Sequence, residues 1–399
     1  MSKIKDAVLF KIYSGQGRSA LFLRILLSDG RLVGSSAVLA AEDAATAYDL
    51  AAEKLQADLK PFLLDLELDD GAPDLADRWL ADLTCQPLAL AASVAVNRVV
   101  ALLSERPLFR QFNQVYGLTE DLFGLPTPLI NMFNGGRHAD TNLDWEEFLL
   151  VPLSKNQTSF AEKIAAASLV FHHLADKLRQ HGFDTDLGGF GGFAPDVTSS
   201  VRAVELIVEA TQAAGQDWGR TFGLGLDIGG AALAAGRGQY LFELEQNRLQ
   251  SADLVNLYEE WQRQYHLIYL EDPLAPADLT GWRRLTVDEN YKLLIAGDKI
   301  FDNSEVKFRQ QLKNHLANAI VISPGSLHTV NQTVDLMKLA VEHHYQTVLA
   351  SGDEETNDDW LSDLAVAANA DYLKAGAVAR GERVGKINRL IEIEQDLAA

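Results

Sequence analysis

The chain has 399 residues, 47% apolar and 23% charged, the balance of a globular protein with room for one large domain and a smaller one. Its 35 Lys and Arg against 56 Asp and Glu leave a net charge of −21, which repels phosphate backbones and anionic lipid, so neither nucleic acid nor a membrane is an expected partner. The single cysteine, Cys85, excludes an internal disulfide, fits a reducing compartment and reads as a small buried residue on a helix.

Met1-Ser2-Lys3-Ile4-Lys5-Asp6 has neither the apolar stretch nor the cleavage site of a secretory signal. The most apolar run, 88–96, stops at Asn97 and Arg98, short of a bilayer span, so a cytoplasmic protein is expected. Residues 8–13, 20–27 and 31–37 are β-rich, and Ser28-Asp29-Gly30 joins the last two as a hairpin turn. Apolar residues then recur at three- and four-residue intervals over 41–64 and 75–103, the pattern of amphipathic helices packed on a small meander. This predicts an α+β domain over residues 1–120.

After Leu125-Pro126-Thr127-Pro128 the character changes. Strand candidates at 128–131, 148–152, 221–227, 267–271, 293–298, 319–323, 347–350 and 372–374 alternate with helical runs. Ser159-Phe160-Ala161-Glu162 is a capping box opening a helix towards Gly182, and further helices start at Ser251 and after Asn303-Ser304. Strands and outer helices in this order predict a (β/α)8 TIM-type barrel over 121–399, an α/β fold whose active site lies at the C-terminal strand ends. Asp227, Glu271 and Asp298 each end one of three consecutive strands. Barrel closure would gather them at one face, where three anions either take up protons or bind a hard cation such as Mg²⁺.

The loop Gly188-Gly189-Phe190-Gly191-Gly192-Phe193-Ala194-Pro195-Asp196 is too rich in glycine for a regular element and too aromatic for a linker. By itself it reads equally as a site loop or as a tight connection with buried aromatics. Its company is Asn134-Gly135-Gly136-Arg137-His138-Ala139-Asp140, Gly225-Leu226-Asp227, Leu270-Glu271-Asp272-Pro273-Leu274, Ala296-Gly297-Asp298 and Leu373-Lys374-Ala375-Gly376. In that order, over nearly the whole chain, these segments resemble the enolase family, lyases that dehydrate 2-phosphoglycerate. The resemblance implies an enolase-like architecture, dimers, and Asp227, Glu271 and Asp298 as ligands of one Mg²⁺. His138 and Glu147 match the family's catalytic-site histidine and glutamate, and Lys374 matches its substrate-contacting lysine.

The departures are specific. The family's G-D-E-G-G-F-A-P has become Gly188-Gly189-Phe190-Gly191-Gly192-Phe193-Ala194-Pro195, so Phe190 replaces the acid-side glutamate. The base lysine of I-L-I-K-V-N-Q is replaced by Ser323 in Ile320-Val321-Ile322-Ser323-Pro324-Gly325-Ser326. Each acid–base group contributes roughly 10²–10⁴ in rate, so both losses together should remove most of the activity. The phosphate-gripping S-H-R-S-G-E-T reads Ala350-Ser351-Gly352-Asp353-Glu354-Glu355-Thr356. The S-G-A-S-T-G lid is absent after Ser35-Ser36-Ala37, where the chain passes to a helix start at Ala40-Ala41-Glu42-Asp43, so a second Mg²⁺ is not expected. Lys299 replaces a family aspartate beside Asp298 and reads as a charge filler or a replacement base; the alternation of a strand would turn it away from the metal side. His172-His173 and His343-His344 read as solvated helix residues.

These features point to an enolase homologue that keeps a Mg²⁺ site, has lost most or all dehydratase activity, and acts by binding, either to itself or to a catalytic enolase. One alternative is a Mg²⁺-dependent lyase or isomerase acting on a non-phosphorylated carboxylate or a cationic substrate, the latter suggested by Asp353, Glu354 and Glu355. The other is an active enolase whose catalytic groups have moved.

Overall fold

A computed structural model describes residues 2–39, 44–118, 123–153, 158–287 and 293–398. Strands β1 (Ile4–Tyr13), β2 (Ser19–Leu27) and β3 (Leu32–Val38) form the antiparallel meander in the order β1-β2-β3. Along β2, Leu21, Leu23, Ile25 and Leu27 are buried, a period of two that turns one face onto the helices.

Those helices are more broken than the periodicity predicts. The run 41–64 is realised as Ala44–Lys54, a π-helical turn Leu55–Leu59 and Lys60–Asp65, and the start expected at 40–43 lies outside the described residues. The run 75–103 splits into Ala72–Leu80 and Gln86–Leu103, each with a proline in its first turn, where the missing N–H costs nothing. A further helix, Leu108–Tyr116, ends on Gly117 in the left-handed region at φ 55°. Cys85 is buried at the N-cap of Gln86–Leu103, one residue ahead of the helix proper.

By length and composition Gln86–Leu103 could cross a bilayer, but 72% of it is buried between the two domains. Leu88 and Val96 belong to the core under the meander, Leu90 and Val94 to the core around the barrel. Polar ties cross the same boundary. Arg98 donates to Asp358 Oδ1 at 2.6 Å and Asp359 Oδ1 at 2.9 Å, while the Ser36 amide and Ser35 hydroxyl donate to Asp358 Oδ2, each at 2.8 Å. The amide of Asn331 donates to Asp77 Oδ2 at 2.9 Å.

The barrel strands are β4 (Thr127–Asn134), β5 (Glu147–Pro152) and β6 (Phe222–Asp227), then, after a side sheet of β7 (Ala234–Gly236), β8 (Gln239–Phe242) and β9 (Asn247–Gln250), β10 (Leu267–Glu271), β11 (Leu294–Gly297), β12 (Ala319–Ile322), β13 (Gln346–Ala350) and β14 (Tyr372–Gly376). They close in the order β10-β11-β12-β13-β14-β4-β5-β6. The barrel is therefore as expected with one difference: β5 runs antiparallel to both β4 and β6. The link 135–146 forms a 3-10 turn and no crossover helix, and so makes a hairpin. Both the reversed strand and the side sheet escaped the reading of the sequence.

Inward residues Leu149, Val151, Tyr269, Ala296, Val321 and Val348 fill the barrel. β6 turns Gly223 and Gly225 inward because the space is taken: a Cβ on Gly225 would lie 2.9 Å from Val151 Cγ2 and 3.1 Å from Leu149 Cβ.

Candidate active site

The alternation that fills the barrel also builds its mouth. Glu147 is in phase with Leu149 and Val151, Asp227 with Gly225, and Glu271 with Tyr269, so each acid is the inward residue one step above the apolar filling. Because β5 is reversed, its first residue meets the last residues of its neighbours. Glu147 pairs with Asp227 across β5 and β6, and Asp227 with Glu271 across β6 and β10. One row of three buried carboxylates results.

Lys374, the inward residue of β14, reaches into this row. Its Nζ lies 2.8 Å from Asp227 Oδ2, 2.8 Å from both oxygens of Glu271 and 3.1 Å from Glu147 Oε1. Burial disfavours the charge of Lys374, but Asp227, Glu147 and Glu271 outweigh it and hold the amine protonated well above the ordinary lysine range. Burial likewise opposes ionisation of Asp227, yet Lys374 keeps its pKa below the usual value; burial and the charge of Asp227 push Glu271 up. Tyr269 donates to Glu271 Oε2 at 2.6 Å, and Asn131 donates to Glu147 Oε2.

Asp298 follows the end of β11, and its Oδ2 is 2.5 Å from Lys299 Nζ. The strand has already ended at Gly297, so Lys299 is free to fold back onto its neighbour, and its side chain is 49% exposed. Asp272, buried and at φ 40°, accepts the amides of both Asp298 and Lys299 at 2.9 Å and fixes the turn that carries them. Among the described residues no group of acids, histidines or cysteines is arranged as a metal cluster. Glu147, Asp227 and Glu271 meet on the Lys374 ammonium, and Asp298 stands with Lys299.

His138 sits in the 3-10 turn between β4 and β5, with Nε2 3.1 Å from Glu146 Oε2 and Nδ1 3.6 Å from Asp353 Oδ1. Burial alone would lower its pKa, but the Glu146 hydrogen bond and the charges of Glu147, Glu146 and Asp353 leave it raised. Phe190 is buried edge-on to the His138 ring, 4.8 Å between centroids, with the Arg383 guanidinium 4.7 Å from its own ring centre. Arg383 is fully buried and donates to Ser351 Oγ and to the carbonyls of Gly352, Asp353 and Gly189, tying two mouth loops together. Ser323 is half-buried just past β12, in phase with the inward Val321, and its amide donates to Asn303 Oδ1 at 2.8 Å.

The glycine-rich loop is a tight connection with buried aromatics, one of its two readings, and it lies against His138. A side chain on Gly188 or Gly192 would collide with Asn134 or Asn131, and Gly191 takes φ 84° so that Phe190 O can accept the Ala377 amide. Phe193 stacks on Phe171 at 4.4 Å, anchoring the far end in the core.

The acidic run on the neighbouring loop is mostly spoken for. Glu354 pairs with Arg18 at 2.6 Å and Glu355 with Lys386 at 3.0 Å, leaving Asp353, 72% exposed, to face the mouth. His172, His343 and His344 are exposed and His173 half-buried, away from the mouth; the latter pair follows its helix, which ends at Glu342. Sequence reasoning missed Glu146, Asp272, Tyr269 and Arg383. Glu146 was visible as the second acid beside Glu147, whereas Arg383 lies in an ordinary amphipathic run and gave no signal.

A family model described as the enolase C-terminal TIM barrel domain matches residues 122–399. An enolase of Wolinella succinogenes is 35% identical over 309 residues, 77% of this chain and 72% of the relative. An enolase of Ehrlichia ruminantium strain Welgevonden is 35% identical over 306 residues, 77% of this chain and 70% of the relative. With the barrel, the strand-end acids and these matches in agreement, the chain belongs to the enolase family.

Proposed function

We propose that this chain is an enolase homologue that keeps a Mg²⁺ site, has lost most or all ability to dehydrate 2-phosphoglycerate, and acts by association. The supporting observation is the pair Phe190 and Ser323: the chemistry needs a base on one face of the substrate and an acid on the other, and these two positions offer a buried ring and a hydroxyl. The amines Lys374 and Lys299 are already ion-paired, so neither is a free base. This also argues against an active enolase with relocated groups.

Members of this family use Mg²⁺. The mouth fits such an ion in kind, since its donors are carboxylate oxygens and Asp227 and Glu271 already converge on one positive charge. Asp227, Glu271 and Asp298 would hold it, and a bound Mg²⁺ supplies positive charge opposite a substrate carboxylate. Within this chain, Lys374 balances the acids, Asn131 and Tyr269 orient them, and Arg383 and Phe190 shape the loops around them. A biological role then rests on association, with a second copy or with a catalytic enolase.

Absorbance of phosphoenolpyruvate formed from 2-phosphoglycerate with Mg²⁺ tests the reading. No turnover above background is expected, and rates of an ordinary enolase would end it. The second reading, a lyase or isomerase on another substrate, keeps support from Asp353 beside His138 alone, because Glu354 and Glu355 are already paired. Mg²⁺-dependent α-proton exchange across a panel of carboxylic acids is its test, and silence across the panel counts against it.

A further inference from the structure

Between the helices Lys60–Asp65 and Ala72–Leu80 of the N-terminal domain runs an open groove of about 830 Å³. A second concavity, of about 490 Å³, shares Asp58 and Trp79 with it and continues it towards Thr84.

Helical spacing makes the groove apolar. Ala72, Ala76 and Leu80 face the core under the meander, whereas Leu75 and Trp79, one turn apart, share another face. Leu75 is 55% exposed. Trp79 is stacked on Phe62, with 4.4 Å between centroids and 5° between planes, and both rings are half-buried, so each keeps part of its surface in solvent. Pro61, exposed, lines the same groove. One exposed apolar side chain needs no explanation, but a contiguous apolar patch with a polar rim marks a surface that meets another molecule.

The rim is acidic. Asp65, Glu67 and Asp69 line the groove and Asp82 its continuation, all four exposed. Among the described residues none of the four has an ion-pair partner, because the cations nearby in sequence are committed elsewhere: Lys54 to Asp58 at 3.2 Å, Lys60 to Asp6 at 2.6 Å and Arg78 to Asp74 at 2.5 Å. Charge of this sign repels nucleic acid and anionic lipid, and it disfavours a second copy of a chain that itself carries −21. It selects a cationic partner, while apolar anchors seated in the groove supply the affinity.

We propose that this groove docks a basic segment of a partner protein, an amphipathic stretch whose apolar side chains lie against Leu75, Trp79 and Phe62 while its Lys and Arg face Asp65, Glu67, Asp69 and Asp82. The proposal is independent of the reading of the barrel mouth and holds whether or not 2-phosphoglycerate is turned over.

The test uses the full chain labelled with 5-fluorotryptophan, the Trp79 signal being identified by its loss in Trp79→Phe. The probe is a lysine-rich helical peptide with leucines at i, i+3, i+4 and i+7. Two controls of the same length replace its leucines by serine or its lysines by glutamate. Fluorine NMR should show a saturable shift of the Trp79 signal with the probe, an affinity about tenfold weaker for the serine peptide, and no shift with the glutamate peptide. Leu75→Lys, at an exposed position outside the core, should weaken the probe about tenfold. Asp65→Asn combined with Glu67→Gln should weaken it about two- to fivefold, the range for exposed charges. Equal affinity for the leucine and serine peptides, no response to Leu75→Lys, or movement of other tryptophan signals in place of Trp79 would each overturn the proposal. So would a Trp79 signal that moves with protein concentration alone, which would assign the groove to a second copy.

Discussion

Two groups of residues at the barrel mouth differ in what they can give up. Glu147, Asp227, Glu271 and Lys374 are almost wholly buried and bonded to one another, whereas Phe190 and Ser323, on the reading proposed above, stand where proton-moving groups would be required. Buried charges hold each other in place, because removing one leaves the rest uncompensated in a poorly solvating interior. Groups that face a substrate carry no such obligation, and a ring or a hydroxyl can replace them while the fold stands. Loss of any one member of the acid-rich group is therefore costly to the fold, whatever the chain does.

The largest effect should come from breaking the balanced group. Lys374→Met leaves three buried acids without their ammonium and should cost about 3–5 kcal/mol in urea unfolding, and a loss under about 1 kcal/mol would show that the row is not held by its charge balance. In the other group, Phe190→Ala should cost about 3 kcal/mol through lost packing against His138 and Arg383, with no gain of dehydratase activity. A stability change near zero would mean that the ring merely plugs an empty space.

The same rule can be read far from the mouth. Burial pushes Asp77 up to about 6 from 3.8, against the hydrogen bonds it accepts from Tyr116 and the Asn331 amide. The folded protein thus holds this proton more tightly than the unfolded chain, so the contribution is present at low pH and is lost as pH rises from about 4 through about 6. Comparing wild type with Asp77→Asn, the stability difference should shift by about 2–3 kcal/mol across that window, favouring Asn at neutral pH. Parallel pH profiles would refute it. Lys299→Met should do least, under about 1 kcal/mol, because its ion pair is half-exposed and screened.

Much of this arrangement was legible in the chain. The strand pattern placed Asp227 and Glu271 at strand ends and put Asp298 at the end of a strand that stops one residue earlier, at Gly297, while Lys374 came from the resemblance and the motif order carried the fold. What escaped depended on pairings between distant segments. That β5 is reversed goes with a link before it that forms no crossover helix and is not written in its apolar pattern, so the meeting of Glu147 with Asp227 could not be read from either strand. The acids Glu354 and Glu355 read as a cation-friendly run because their partners, Arg18 and Lys386, lie far away in sequence. Arg383 was silent for the same reason: its targets are backbone carbonyls on loops that only the folded barrel brings together.

The central claim concerns proton movement, and proton movement can be followed without dehydration. With 2-phosphoglycerate and Mg²⁺ in D₂O, NMR should show the α-proton retained over hours, since Ser323 offers no base and Lys374 is committed to its carboxylates. Steady replacement of that proton by deuterium would contradict the account, even if no phosphoenolpyruvate were formed.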